Sequence, residues 1–425
     1  MSRALTLGAI AGALCFANML GQFYRTAMAV VAPELTRDVG IRPDELGFLT
    51  GAFFLMVAAM QVPVGILLDR IGPRLTMSGL LTLAVAGTLI FAAAGSMAVL
   101  ALGRGLIGVG FSAVMMGSLV TFARWVSPAK FAMAASLVMG LGFLGGIAAT
   151  IPLGLATVAL GWRGAFVGMS GICGLGAVLV FLLVRDAPPG HPFHARVPEP
   201  VHKVLRGYLE VLRIRDVRFV AAMSFTTFAS LLTVLGLWAG PYLYDVHGLD
   251  TVPRGKVLMA MAVAGMVGSF AYGPADRLLN SRKRVIQMAS GLSIALLVTL
   301  GLLPHPGLPT AAVLLTLFCL LVPFSPVVVS HSRSLFPDRL VGRGMTTLNM
   351  VVFAGIFLIQ WATGFLVDAF DKSPAGQVPE IAYRSVFLFL ACAMSASLLV
   401  YSRAEDVRPG EELATREGAD RQDRV

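Results

Sequence analysis

Arg25 stands inside an apolar run, residues 5–31, that is long enough to cross a lipid bilayer. A charge at that depth costs roughly 2.5–3.5 kcal/mol even on the lenient insertion scale, so it belongs against an aqueous cavity or a partner. Asn18 and Gln22 precede it at i, i+4, i+7 spacing and share its helical face. A guanidinium presents a planar fork of donors suited to a carboxylate or a phosphate. Arg104, in the apolar run 97–122, is the other arginine inside a span, with Gly108 one turn away leaving space beside it. No Asp or Glu falls near the middle of any apolar run: Glu34, Asp38 and Asp245 sit at one set of ends, Asp69 and Asp276 at the other. The chemistry on offer is anion binding, with no embedded carboxylate to carry a proton or hold a cation.

The second half of the chain adds polar and aromatic surface instead of charge. Thr226, Ser230 and Thr233 repeat the i, i+4, i+7 spacing, and Trp238 and Tyr242 follow one turn apart. Thr346, Asn349, Phe353, Ile356, Gln360 and Thr363 form a stripe on a later run. Such stripes serve either a ligand or hydrogen bonding between helices, and Trp238 and Trp361 also suit an interfacial aromatic belt. The candidate substrate-binding set is Arg25, Asn18, Gln22, Arg104, Thr233, Trp238, Tyr242, Asn349 and Gln360.

The elements that must position these groups are apolar helices. Hydrophobic residues make up 57% of the 425 and charged residues 13%, and the mean hydropathy is +0.81, so the bilayer is the solvent. Apolar runs predict twelve spans: 5–31, 45–68, 75–95, 97–122, 130–158, 163–184, 217–243, 255–275, 285–303, 309–331, 344–367 and 382–402. Pro323 and Pro326, around Phe324 and Ser325, predict a bend in the tenth. The first run is too long for a signal peptide and is expected to remain as a span.

The six-span unit is written twice. Gly65-Ile66-Leu67-Leu68-Asp69-Arg70-Ile71-Gly72-Pro73-Arg74 and Gly273-Pro274-Ala275-Asp276-Arg277 place a glycine shortly before an Asp-Arg pair after two runs, and Asp69 and Asp276 differ by 207. Pro33 and Pro241 differ by 208, as do Gly40 and Gly248, while Arg124 and Arg333 differ by 209. A held offset marks a parallel duplication. The expected domains are an N-terminal bundle, 1–184; a linker, 185–216, with an interfacial helix over Val201 to Ile214; a C-terminal bundle, 217–403; and a disordered tail, 404–425.

Of 33 Lys and Arg, 24 fall on the side that bears both termini and seven on the other, which predicts cytoplasmic termini. The net charge of +10 sits where that rule puts it, so no nucleic-acid partner is implied. Cys15, Cys173, Cys319 and Cys392 all fall in spans without paired spacing, so no disulfide framework or metal site is expected. No nucleophile–base pair, phosphate loop or cofactor motif appears, which argues against an enzyme.

The chain resembles a transporter of the major facilitator superfamily over residues 5–403. The loop signature Gly65 to Arg74 carries the resemblance, with Arg104-Gly105-Leu106-Ile107-Gly108-Val109-Gly110 in the fourth span and Gly161-Trp162-Arg163 entering the sixth. The Gly-Pro signature of antiporters in the fifth span is replaced by Gly140, Gly142, Gly145 and Gly146 without proline. The spacing from Arg25 to Pro33 is similar to the first helix of organophosphate/phosphate antiporters and anion:cation symporters, in which that arginine binds the substrate anion. The resemblance implies an all-α fold of two six-helix bundles, and a gating role for Gly65, Asp69, Arg70, Gly72, Arg74, Asp276 and Arg277. Asp69 at a helix end suits a latch that forms when the two halves close on that side.

The expected function is secondary transport of a small organic anion, carboxylate or organophosphate, by alternating access, with protons or a counter-anion as coupling partners. The protein is expected to be a monomer in a bacterial inner membrane, with no cofactor and no metal. An exporter of amphiphilic drugs or siderophores, lined by some of the 20 methionines, is the alternative, and a transporter-like sensor is a third.

Overall fold

The computed structural model describes residues 3–188, 210–211, 213–336, 340–371, 373 and 377–406. Every regular element among them is helical. Eleven helices are long and apolar enough to cross a membrane. One of these, Met133–Leu183 with 51 residues, would run about 75 Å at 1.5 Å per residue, more than twice the hydrocarbon thickness. It is two spans joined at Gly161, whose φ of 69° breaks the helix in a region open to glycine. The count is therefore twelve, six in each half.

Span five is broken at Ala149–Thr150, and four further interruptions recur at every third span. Span one runs Arg3–Thr26, turns at Ala27 and continues as Met28–Val39. Span four is Met97–Phe111 followed by Val114–Trp125. Span seven is Arg215–Thr233, a π-helical turn at Val234–Trp238, and Ala239–Asp245. Span ten stops at Leu321 and restarts at Ser325, as its two prolines predict. Adding 208 to Ala27 lands in the π turn, and adding 209 to Ala113 lands in the gap of span ten. The repeat thus extends to the places where helical hydrogen bonding fails.

Spans two and eleven, and spans five and eight, join the halves. Span two, Pro43–Arg70, lies along span eleven, Val341–Asp368, with Phe54 stacked on Phe353 at 6.3 Å and Phe48 edge-on to Trp361. Glycine permits this approach: a Cβ on Gly47 would stand 2.5 Å from the Gln360 carbonyl oxygen. Span five meets span eight, Thr251–Ala271, where Gly140 faces Phe270 and Gly255 faces Ile151. Within the first half, Gly145 lies so close to span one that a Cβ would come within 1.7 Å of the Met19 carbonyl oxygen. Valine at that position forces the two backbones apart. Gly145→Val should lose more than about 3 kcal/mol of stability, beyond the usual range for overpacking. Gly146→Ala, whose methyl would find only Thr26 Oγ1 at 3.9 Å, should melt like the parent. Thermal unfolding of both variants in detergent checks the pair.

Most of the linker, with the interfacial helix expected there, lies outside the described residues, as does 407–425. The start of the tail does not match the expectation of disorder. Asp406 accepts hydrogen bonds from Ser281 Oγ at 2.6 Å and the Lys283 amide at 3.1 Å, the Ala404 carbonyl accepts from Lys283 Nζ, and the Glu405 carbonyl meets His331 Nε2. A carboxylate at the start of span nine, Arg282–Leu302, satisfies amides that the helix leaves unpaired. Three cysteines are buried and Cys392 is exposed.

Candidate substrate site

Arg25 occupies the last turn of the first segment of span one, where the partial negative charge of the helix end favours a cation. Its Nη1 donates to Gln22 Oε1 at 2.8 Å, and its guanidinium carbon lies 5.5 Å from the centroid of the Phe353 ring, across the boundary between halves. Its Nε is buried without a hydrogen-bond partner. No carboxylate pairs with it among the described residues. Gln22 and Arg25 are half-buried and Asn349 is exposed. Asn349 Nδ2 donates to Gln61 Oε1 at 3.1 Å, again between halves. Of the nine candidate ligands, the accessible ones are Arg25 and Gln22 from span one and Asn349 from span eleven.

The other six predicted ligands are buried, each for a packing reason. Asn18 keeps only 9% of its surface, because Nδ2 donates to Ser118 Oγ at 2.8 Å and to the Leu14 carbonyl. Arg104 is 0% exposed: Nη1 donates to the Tyr24 carbonyl at 2.8 Å and the guanidinium lies over Phe53. It braces the end of the first helical segment, three residues before the turn at Ala27. Thr233 is enclosed with its hydroxyl unpartnered, and Gln360 Nε2 donates to the Leu232 carbonyl. Trp238 donates from Nε1 to Thr363 Oγ1 at 2.9 Å, and so is no part of an interfacial belt. Tyr242 is buried among His247, Tyr383 and Phe387.

One linkage between halves escaped the sequence reading. Arg254, in the first turn of span eight, donates from Nη2 to Glu34 Oε1 at 2.8 Å and to the Val30 carbonyl at 2.7 Å, while Thr251 Oγ1 donates to the same carboxylate oxygen at 2.6 Å. It closes the halves at the face opposite the termini, called distal below. Nearby, a Cβ on Gly240 would stand 1.7 Å from the Ala29 carbonyl oxygen, which Pro33 deprives of its helical donor. A signal was present: an arginine in the first turn of a helix opposes the dipole unless an acid meets it.

Two residues of the loop signature, Gly72 and Arg74, engage Asp186. Gly72, at φ 95°, stands where a Cβ would lie 2.6 Å from the Asp186 carboxylate carbon. The Arg74 amide donates to Asp186 Oδ1 at 2.7 Å, and Arg74 Nε donates to the Phe181 carbonyl. Asp186, just beyond the end of span six, thereby caps span three, Pro73–Ala93. Gly65 is half-buried, and Asp69 and Arg70 are exposed at the face bearing the termini. Asp276 and Arg277 lie in the short helix Ala275–Leu278, with side chains outside the described set. Loss of the cap in Asp186→Ala should cost about 1 kcal/mol, read as a small drop in melting temperature with transport retained. The Gly161-Trp162-Arg163 motif ties span six to the end of span one, since Trp162 Nε1 donates to Asp38 Oδ2 at 3.0 Å and Arg163 pairs with the same carboxylate.

No group of three potential metal ligands occurs among the described residues. Twelve membrane-length helices make this an integral membrane protein. The sequence profile of the Major Facilitator Superfamily matches residues 14–330. The chain belongs to that family. It is 27% identical over 300 residues to the probable sulfoacetate transporter SauU of Cupriavidus necator, covering 66% of this chain and 67% of the relative. Over 307 residues it is 27% identical to the nitrate/nitrite transporter NrtP of a Picosynechococcus strain, covering 60% of this chain and 54% of the other. It is 24% identical to the hexuronate transporter of Bacillus subtilis, covering 72% and 75%. The chain thus spans two thirds of the first relative's length and about half of the second's. Among solved structures, a bacterial homologue of the lysosomal transporter Spinster superposes with a TM-score of 0.70 at 18% identity, over 94% of this chain and 95% of that one. The nucleoside transporter NupG does so with a TM-score of 0.74 at 11% identity, over 92% and 99%. These structures establish the fold.

Proposed function

We propose that the chain is a secondary transporter of a small organic anion, working by alternating access around Arg25. One observation carries the reading: a half-buried guanidinium between the two halves, with one amide contact and no carboxylate partner among the described residues. A cation at that depth is stabilised when an anion arrives, and the arriving anion replaces lost hydration with a planar pair of donors. The names of the sulfoacetate, nitrate/nitrite and hexuronate relatives support an anionic cargo. The distal linkage of Glu34 with Arg254 supports a conformation sealed on that side, so that opening it requires the halves to rock apart there. The excess of Lys and Arg on the terminal face supports a bacterial inner membrane with both termini in the cytoplasm.

Uptake into proteoliposomes tests the proposal. A panel of labelled carboxylates, sulfonates and organophosphates should include a transported member, and amphiphilic cations should not be moved. Movement of the cations without any anion would overturn the reading in favour of an exporter, a class that the relatives also include. Uptake at imposed pH gradients and membrane potentials then identifies the coupling ion.

A further inference from the structure

The amides around Arg25 have fixed orientations, and they describe the shape of the cargo. Gln61 Nε2 donates to the Val57 carbonyl at 3.1 Å. A carbonyl only accepts, so the Gln61 oxygen must be the end turned toward Asn349. Asn349 answers with Nδ2, which leaves its Oδ1 as the unengaged end. Gln22 meets Arg25, a group that only donates, so Gln22 presents its oxygen there and keeps its NH₂ unengaged. The surface thus has a donor end, Arg25 with the Gln22 NH₂, and an acceptor end, Asn349 Oδ1. Phe353 lies against Arg25 and one turn along span eleven from Asn349, so the acceptor end is offset along the helix by roughly one turn, about 5–6 Å, from the level of Arg25. Arg104, near the middle of span four, is sealed and committed to the Tyr24 carbonyl.

We infer that the site selects a monovalent hydroxylated organic anion, its single negative group on Arg25 and Gln22 and a hydroxyl donated to Asn349 Oδ1. This rests on the organic-anion reading above and narrows it. A second carboxylate at the far end meets a lone pair instead of a cation, and two acceptors face each other without a proton between them. An ammonium there satisfies Asn349 but leaves the arginine's charge uncompensated overall, since no acid lies near. A plain alkyl chain leaves Asn349 unpaired. A hydroxyl satisfies both ends and leaves the site neutral.

The test uses the full-length protein purified in detergent, with calorimetric binding at pH 7.5 to matched probes. Gluconate, glucarate and hexanoate share six carbons and differ in charge and hydroxylation; glycerate, tartronate, propionate and serine do the same at three. Gluconate or glycerate should bind at least tenfold more tightly than the dianion or the hydroxyl-free acid of its own series, and glycerate at least tenfold more tightly than serine. Asn349 is exposed, so its replacement leaves the fold intact, which an unchanged ligand-free melt verifies. Asn349→Leu should erase the preference for hydroxyls, and Asn349→Arg should turn selection toward glucarate or tartronate by at least tenfold. Parental binding of dianions as tight as that of monoanions, or a hydroxyl preference that survives Asn349→Leu, overturns the inference while leaving an anion transporter. Binding of no probe, or binding undiminished in Arg25→Ala, overturns the broader reading with it.

Discussion

Proteoliposomes carrying Arg25→Ala should take up the transported anion roughly 30- to 1,000-fold more slowly in kcat/KM. The range follows from losing one partner of a desolvated, hydrogen-bonded charge pair, a cost of about 2–4 kcal/mol at 1.4 kcal/mol per tenfold. Arg25→Lys keeps the charge and loses the fork, so it should recover part of the rate, within about tenfold of the parent. Stability should move the opposite way. The guanidinium has a buried, unpartnered Nε and no counter-charge among the described residues, so removing it relieves an insertion cost of roughly 2.5–3.5 kcal/mol, and the alanine variant should melt at a higher temperature than the parent. A structural arginine gives the reverse: a lower melting temperature with transport falling in step. Parental uptake in Arg25→Ala would remove the arginine from the transport site.

Arg254→Ala should have the largest effect on stability and on the balance of conformations. The change leaves Glu34 with Thr251 as its partner and no cation, and removing one member of a buried ion pair typically costs about 3–5 kcal/mol. Because the pair joins the halves, the penalty falls on the distally sealed state and shifts the population toward the distally open one. A cysteine introduced beside the seal, at Ala29, should therefore react much faster with a polar thiol reagent in Arg254→Ala than in the parent background. Glu34→Gln added to Arg254→Ala removes the stranded charge and should restore about half of the lost stability. Parental labelling and melting in Arg254→Ala would mean that the pair is ornamental to the seal.

The sequence displays the twelve spans because each is a long apolar run, and it displays the duplication because offsets near 208 survive at Pro33/Pro241 and Arg124/Arg333. The bend in span ten was legible because proline removes a specific donor. The turns at Ala27 and at Ser112–Ala113 have no such local cause: they arise where tertiary partners, such as Arg104 at the Tyr24 carbonyl, offer backbone groups an alternative to helix bonds. Periodicity reveals which face a residue occupies, but not what covers that face at a given depth. Asn18 shares a face with Gln22 and Arg25, yet Ser118 covers it. Thr233, Trp238 and Tyr242 lie on a span that protein encloses on nearly every side, where a polar stripe does not distinguish cavity from core. The Glu34–Arg254 linkage joins residues 220 apart, beyond the reach of local spacing, and Gln61 drew no notice because a single amide carries no pattern.

The matched interruptions of spans one, four, seven and ten bear on ancestry. Because both copies carry them, they belong to the unit before it doubled, and two separate copies would already have faced one another across an axis. Such a twofold pair shows every side chain twice, so its central charge must be even. A fused chain is free of that parity rule: position 25 holds arginine while its counterpart, 233, holds threonine. A chain that contains both copies can hold a single charge where a symmetric pair must hold two or none.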